Sequence, residues 1–252
     1  MNLSICIITK NEEQNIDRCL KALAPYGLET IVVDTGSTDR TKQIAARYTD
    51  RLYDFPWCDD FSAAKNFAIE NASHSYVLVL DSDEFAEQLD LSVLEKQIAA
   101  HPGAVGRIRR RNVFHRNGEE QENREWINRI FAKEYFHYEG RIHEQVMPLH
   151  GTEQSYETYE TPVVILHDLP EQQKKEKAKR NIRLLEQELK QLGWDGNAGA
   201  KDGGAKAGTA GTDADARGSG QIPYLLYQLG KSYYMMGEYG SACCWGAPGA
   251  FV

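Results

Sequence analysis

Residues 77–85 read VLVLDSDEF. An apolar run of strand length meets three carboxylates, Asp81, Asp83 and Glu84, within four positions. Like charges this close repel, and water or a cation must offset the cost. Carboxylate oxygens at i and i+2 suit Mg²⁺ or Mn²⁺, with phosphate oxygens and water completing the shell. Other charged residues stand in the same place. Asp34 follows TIVV (30–33), and Lys10 and Glu12 follow LSICIIT (3–9). In an open α/β sheet, ligands bind beyond the carboxyl ends of the strands. Acids that merely end strands or cap helices account for any one of these positions. All three together favour a site for a nucleotide and a divalent cation.

The elements that position these residues alternate. LSICIIT (3–9), TIVVDTG (30–36) and YVLVLD (76–81) are continuous apolar strands, with a short strand near RLYDF (51–55). NEEQNIDRCLKAL (11–23) has helical spacing at Ile16, Leu20 and Leu23, and Pro25 and Gly27 end it. STDRTKQIAARY (37–48), with Ser37 as N-cap, and FSAAKNFAIENA (61–72) are further helices. This alternation predicts a doubly wound α/β sheet covered on both faces. Residues 104–166 predict mixed sheet and loops, where the acceptor side of a site would lie. EQQKKEKAKRNIRLLEQELKQLG (171–193) predicts a charged helix with Ile182, Leu185 and Leu192 on one face. The Gly/Ala-rich stretch 194–221 has nothing to bury and reads as a flexible linker. In 222–252, Leu229, Gly230 and Tyr233 match the L-G-x-x-Y core of a tetratricopeptide helix, with Ala242 near the next helix. The final CCWGAPGAFV does not continue a repeat and reads as a truncated or altered end. The expected division is 1–170, 171–193, 194–221 and 222–252.

Composition narrows the class. A net charge of -8 argues against a nucleic-acid binder. Arg107, Arg109, Arg110 and Arg111 form a local basic run, read as a sheet edge with solvated arginines. Five cysteines without a CxxC pair suggest neither zinc nor a disulfide framework. The N-terminal apolar run is too short for a signal peptide or a membrane span. The expectation is therefore a cytoplasmic protein, with peripheral membrane contact left open. Haloacid-dehalogenase-type phosphatases also carry D-x-D after a strand. They want Thr or Val where this chain has Phe85, and they carry the motif on the first strand. No G-x-G-x-x-G follows the first strand, which argues against a dinucleotide fold.

Four blocks in register, IITKNEEQNIDRCL (7–20), IVVDTGSTDRT (31–41), DDFSAAKN (59–66) and LVLDSDE (78–84), resemble the family 2 glycosyltransferases of GT-A fold. NRIFAKEYFHYEGRIHEQV (128–146) and 163–191 resemble a bacterial subgroup that carries C-terminal tetratricopeptide repeats. The resemblance implies an inverting transferase that uses a nucleotide sugar, most simply a UDP-sugar, with Mn²⁺ or Mg²⁺. Thr9, Lys10, Glu12 and Asp34 would surround the nucleoside, and Lys65 would approach the base or diphosphate. Asp81 and Ser82 would lie at the ribose or sugar, and Asp83 would ligate the metal. Glu144 is the best-placed base. His143 beside it is an alternative base, phosphate contact or metal ligand, or the pair is a structural turn. His167 would complete the metal shell, although HDLP departs from the subgroup's H-x-G-Y. Trp126 would stack on an acceptor sugar or pack in the core. The acceptor classes are a glycan, a lipid-linked molecule or a peptide, and the repeats would allow a homodimer. A degenerate transferase domain serving as a repeat-linked scaffold is the rival reading.

Overall fold

The computed structural model describes residues 1–116, 119–149, 156–168, 170–194, 215–238 and 240–241. The chain divides into two compact units, Met1–Leu169 and Pro170–Val252.

The first unit is built on an eight-stranded sheet of order β3-β2-β1-β4-β7-β6-β10-β5. Its parallel part contains β1 (Leu3–Thr9), β2 (Glu29–Asp34), β3 (Leu52–Asp54) and β4 (Tyr76–Asp81). Every residue of β1 is buried, as the continuous apolar run requires of a strand covered on both faces. Alternate residues serve two cores. Leu3, Ile5, Ile7, Val32, Leu78 and Leu80 pack with α1 (Ile16–Leu23), α2 (Thr41–Ala45) and α4 (Leu91–Ala100). Cys6, Ile8, Ile31, Val33, Val77 and Val79 pack with α3 (Phe61–Glu70). The doubly wound mixed sheet is thus the fold that the chain forms.

The rest of the sheet mixes directions. β7 (Glu119–Ala132) runs antiparallel to β4 and to β6 (Val105–Arg116), and β10 (Thr158–Asp168) runs parallel to β6. β5 (Glu84–Gln88) closes the far edge, and β8 (Phe136–Glu139) pairs with β9 (Gln145–Pro148) in a separate ribbon. Gly106 allows the tight crossing of β7, β6 and β10. A Cβ there would come within 3.0 Å of Ile130 Cβ and Thr161 Cγ2.

Several local expectations change. The second helix starts at Thr41, because Asp39 Oδ1 accepts from Thr41 N at 2.9 Å and holds 37–40 as a loop; Ser37 is not its cap. The arginine run is not an edge, since β6 lies between β7 and β10. Three of its members pair with carboxylates: Arg107 with Glu160, Arg110 with Glu84 and Glu125, and Arg111 with Glu87 and Glu122.

The second unit contains α5 (Glu171–Gln191) and α6 (Asp215–Met236). Ala178, Leu184, Leu185 and Leu189 form the buried face of α5, whereas Ile182 and Leu192 are only half-buried. Leu185 of the expected face is fully buried, and Ile182 and Leu192, at helical spacing from Ala178 and Leu189, border the same face. Leu225 and Leu229 are buried on α6, and Tyr233 donates to Glu186 at 2.9 Å. Helix α6 starts earlier than the expected 222. Residues 195–214 of the expected linker, and 242–252 with Ala242, lie outside the described residues. Among the described residues, no helix is long and apolar enough to cross a membrane.

Candidate active site

The strand order reverses between β1 and β4, and the crevice beyond their carboxyl ends is the usual ligand position in such sheets. Thr9 and Asp34 end β1 and β2 as register partners, and Asp81 lies opposite Ile8 at the end of β4. Thr9 and Asp34 are both buried. Asp34 Oδ1 accepts from Gly36 N at 2.9 Å and Ser37 N at 2.7 Å, a turn that Gly36 makes at φ +100°. Among the described residues, Asp34 Oδ2 and Thr9 Oγ1 are buried without a hydrogen-bond partner. Two in-register orphan oxygens cost stability in a folded chain, and a ligand's N–H or O–H would satisfy them.

The loops after β1 and β2 are laced together. Asn11 N donates to Ser37 Oγ and Thr38 N to Asn11 Oδ1, both at 2.8 Å. Glu12 belongs to this lacing: its N donates to Thr41 Oγ1 at 2.8 Å, and its carboxylate accepts from Asn15 Nδ2 at 2.5 Å. Lys10 is exposed, with Nζ 5.8 Å from the Trp57 ring centroid.

The acidic cluster separates into three environments. Glu84 is buried; Oε1 takes Arg110 at 3.2 Å and Arg129 at 3.1 Å, and Oε2 accepts from Asp81 N at 3.0 Å. Asp81 takes Lys65 at 3.0 Å on Oδ1 and Arg129 at 3.0 Å on Oδ2. Burial alone would raise the Asp81 pKa, but Lys65 and Arg129 hold it well below the usual carboxylate range. Burial and Arg129 oppose the charge on Lys65, yet Asp81 and Glu144 keep its pKa above the ordinary lysine value. The chain's own cations therefore offset the charge of two of the three carboxylates.

Arg129 was not foreseen as a site residue. β7 carries one residue more than β6 at the Gly106–Arg107 step, where Gly106 pairs with Ile130 and Arg107 with Asn128. This bulge puts Ile127 and Ile130 on one core and turns Arg129 to the acidic cluster. The break in period-two alternation between Ile127 and Ile130 was the available signal.

The third carboxylate, Asp83, is 6% exposed, and its neighbour Ser82 is buried as well. His167 Nε2 lies 3.2 Å from Asp83 Oδ2, and His167 Nδ1 lies 2.9 Å from Asn112 Oδ1. Asn112 Nδ2 donates to Asn123 and Glu125, both at 2.8 Å, which fixes the amide with its oxygen toward the ring. Asn112 thus holds the ring through Nδ1, and Nε2 is the ring nitrogen turned to the Asp83 carboxylate. That arrangement fits a divalent cation between the two groups. No set of three or more His, Cys, Asp or Glu side chains among the described residues forms a metal cage. Mg²⁺-type sites commonly use few protein ligands and let phosphates and water supply the rest.

Glu144 meets Lys65 Nζ at 2.5 Å. His143 beside it has φ +54°, and its carbonyl accepts from Gln145 Nε2 at 2.9 Å. Lys65 is 1% exposed and engaged by two carboxylates. Trp126 is half-buried on β7 under Arg109, whose guanidinium carbon lies 4.5 Å from the ring centroid. Lys65 thus joins Asp81 to Glu144, and His167 joins Asp83.

The family model "Glycosyl transferase family 2" matches residues 4–156. A lipopolysaccharide core biosynthesis glycosyltransferase, LpsC, of Rhizobium meliloti is 31% identical over 156 residues, covering 58% of this chain and 57% of LpsC. A TPR repeat-containing protein of Synechococcus elongatus is 45% identical over 82 residues, covering 32% of this chain and 20% of that protein. The chain thus spans well under two thirds of the length of either relative. Among solved structures, Staphylococcus aureus TarS 1–349 is 16% identical with a TM-score of 0.49, covering 93% of this chain and 72% of that one. Glucosyl-3-phosphoglycerate synthase from Mycobacterium tuberculosis, in complex with Mg²⁺ and UDP, is 23% identical with a TM-score of 0.36, covering 46% and 44%. With the family model matching more than half of its residues, the chain belongs to glycosyl transferase family 2.

Proposed function

We propose that this chain transfers a sugar, with inversion, from a UDP-sugar to a hydroxyl or thiol of a glycan, lipid-linked or peptide acceptor. The observation that carries the reading is the in-register pair of buried, unpartnered oxygens, Thr9 Oγ1 and Asp34 Oδ2, at the ligand edge of the sheet. A uracil N3–H or ribose hydroxyl supplies what they lack. Lys10 and Glu12 flank that position from the loop after β1.

Asp81, held by Lys65 and Arg129, presents a fixed carboxylate edge to a ribose or sugar hydroxyl, with Ser82 beside it. Asp83 and His167 would hold Mn²⁺ or Mg²⁺. A divalent ion there supplies charge stabilisation to the departing diphosphate, so that departure needs no general acid. Glu144 takes the acceptor proton as the acceptor attacks the anomeric carbon. The new bond forms opposite the breaking C–O bond, whose electron pair leaves with UDP. His143 orients the acceptor beside Glu144, and Trp126 offers a ring face for an acceptor sugar. The α5–α6 pair serves as the start of a tetratricopeptide-like surface for docking or self-association, supported by the buried Leu225 and Leu229 of α6.

Titration with UDP, GDP and UMP, each with and without Mn²⁺, tests the reading. UDP binding that needs Mn²⁺ supports it. A folded sample that binds no nucleotide overturns it in favour of the scaffold reading.

A further inference from the structure

The segment YEGRIHE (138–144) carries the proposed base and rests on one face of α3. Phe61 N, one of the donors that the first turn of a helix leaves open, donates to Arg141 O at 2.9 Å. Asn66 holds the Tyr138 peptide twice: Nδ2 donates to Tyr138 O, and Oδ1 accepts from Tyr138 N, both at 2.9 Å. Lys65 Nζ bonds Glu144 at 2.5 Å and Asp81 at 3.0 Å, and lies 5.3 Å from the Tyr138 ring centroid. Phe61 and Lys65 are one turn apart and share one side of the helix, and Asn66, next in the chain, holds the start of the segment from the adjoining side. Two residues of the segment take left-handed backbone, Gly140 at φ +99° and His143 at φ +54°. Such a conformation in a non-glycine residue persists where the surroundings hold it.

We propose that Lys65 and Asn66 are positioning residues for transfer. They fix the loop that presents Glu144, and Lys65 ties that carboxylate to Asp81 on the donor side instead of binding the diphosphate. A diphosphate oxygen could reach Lys65 only by displacing a carboxylate from a buried ammonium. This inference rests on Glu144 as the base, and the DDFSAAKN block becomes the platform of the acceptor side.

The experiment compares Lys65→Met, Lys65→Arg and Asn66→Ala with the wild-type chain. UDP with Mn²⁺ is the binding probe, UDP release from the UDP-sugar that the wild type turns over is the rate, and hydrogen exchange is followed at amides 138–146. Misplacing a reacting group by about 1 Å costs on the order of a hundredfold in rate, so Lys65→Met should lose about that much turnover. Its UDP affinity should fall by less than about tenfold, because Arg129 still holds Asp81, so that the larger loss appears at the transfer step. Lys65→Arg should recover part of the rate. Asn66→Ala removes two hydrogen bonds and should raise exchange across 138–146 by about tenfold or more. Loss of UDP affinity in Lys65→Met with loop exchange unchanged would overturn the proposal and make Lys65 a diphosphate ligand. Unchanged exchange in Asn66→Ala would overturn the tether. Failure of the transferase reading shows separately, as absence of UDP binding by the wild type.

Discussion

His167 Nε2 stands 3.2 Å from Asp83 Oδ2, although the two residues are 84 positions apart in sequence. The strands that carry them explain the meeting: β10 pairs antiparallel with β5, and His167 is the register partner of Glu84, next to Asp83. In the proposed reading, the ring nitrogen and the buried carboxylate would form a two-ligand clamp for a divalent cation.

Removing either half of that clamp should separate nucleotide affinity from metal. Asp83→Ala and His167→Ala are each expected to weaken Mn²⁺-dependent UDP binding by about ten- to a hundredfold. Metal-free binding should change little. Calorimetric titration decides the matter, and an Mn²⁺ effect equal to that of the wild type would remove the residue from the metal shell.

Glu144→Gln keeps the shape and loses the proton acceptor. Its UDP affinity should stay near that of the wild type, while turnover falls by about 10²- to 10⁴-fold. Transfer at close to the normal rate would place the base elsewhere, with His143 the next candidate.

Thr9→Val should have opposite effects on stability and binding. The substitution deletes a buried hydroxyl that has no partner in the free chain. The apo fold should gain about 1 kcal/mol by thermal or urea unfolding, since an unsatisfied buried polar group is lost. UDP affinity should drop by about tenfold, the equivalent of one hydrogen bond. A variant that binds UDP as well as the wild type would show that the hydroxyl faces no ligand.

Arg129→Met tests the buried network. Arg129 is 7% exposed and bridges Asp81 and Glu84, so its loss leaves buried carboxylates short of a cation. A stability loss of about 3–5 kcal/mol is expected in denaturant unfolding. A loss below about 1 kcal/mol, the scale of an exposed ion pair, would mean that the network is solvated.

Glu29 sets an acid limit at the opposite end of the sheet. Burial would raise its pKa, but hydrogen bonds from Ser4 and Ser73 and the charge of Arg51 lower it to about 2 from an ordinary 4.5. Since the folded value lies below the unfolded one, the ionised group stabilises the fold above about pH 4.5, and this contribution disappears as pH falls toward 2. Glu29→Gln should therefore flatten the loss of melting temperature across that window. An unchanged acid limb would assign acid unfolding to other carboxylates.

The sequence by itself determined the parallel half of the sheet and the edge where the site lies. Continuous apolar runs can be satisfied only by strands buried on both faces, and the charged residues after those runs must then gather at one end. Asp34, Asp81 and Asp83 were legible on that ground, because their positions follow from short-range pattern. Helix starts were less so. The chain holds 37–40 as a loop through the Asp39–Thr41 bond, so α2 starts at Thr41 with Arg40, not Ser37, at its cap position.

Only the tertiary structure decided which charges face a ligand and which face each other. A carboxylate reads the same in sequence whether its counter-ion is a bound metal or an arginine brought from another strand. Glu84 and Asp81 take Arg129 because a single extra residue in β7 turns that side chain over, and no periodicity announces its partner. Lys65 looked like a donor contact, yet a helix packed on the sheet carries its ammonium into a pocket closed by Asp81 and Glu144. Pairings of this kind depend on distances between segments far apart in the chain. Those distances are set by strand register and helix packing, which the local pattern does not contain.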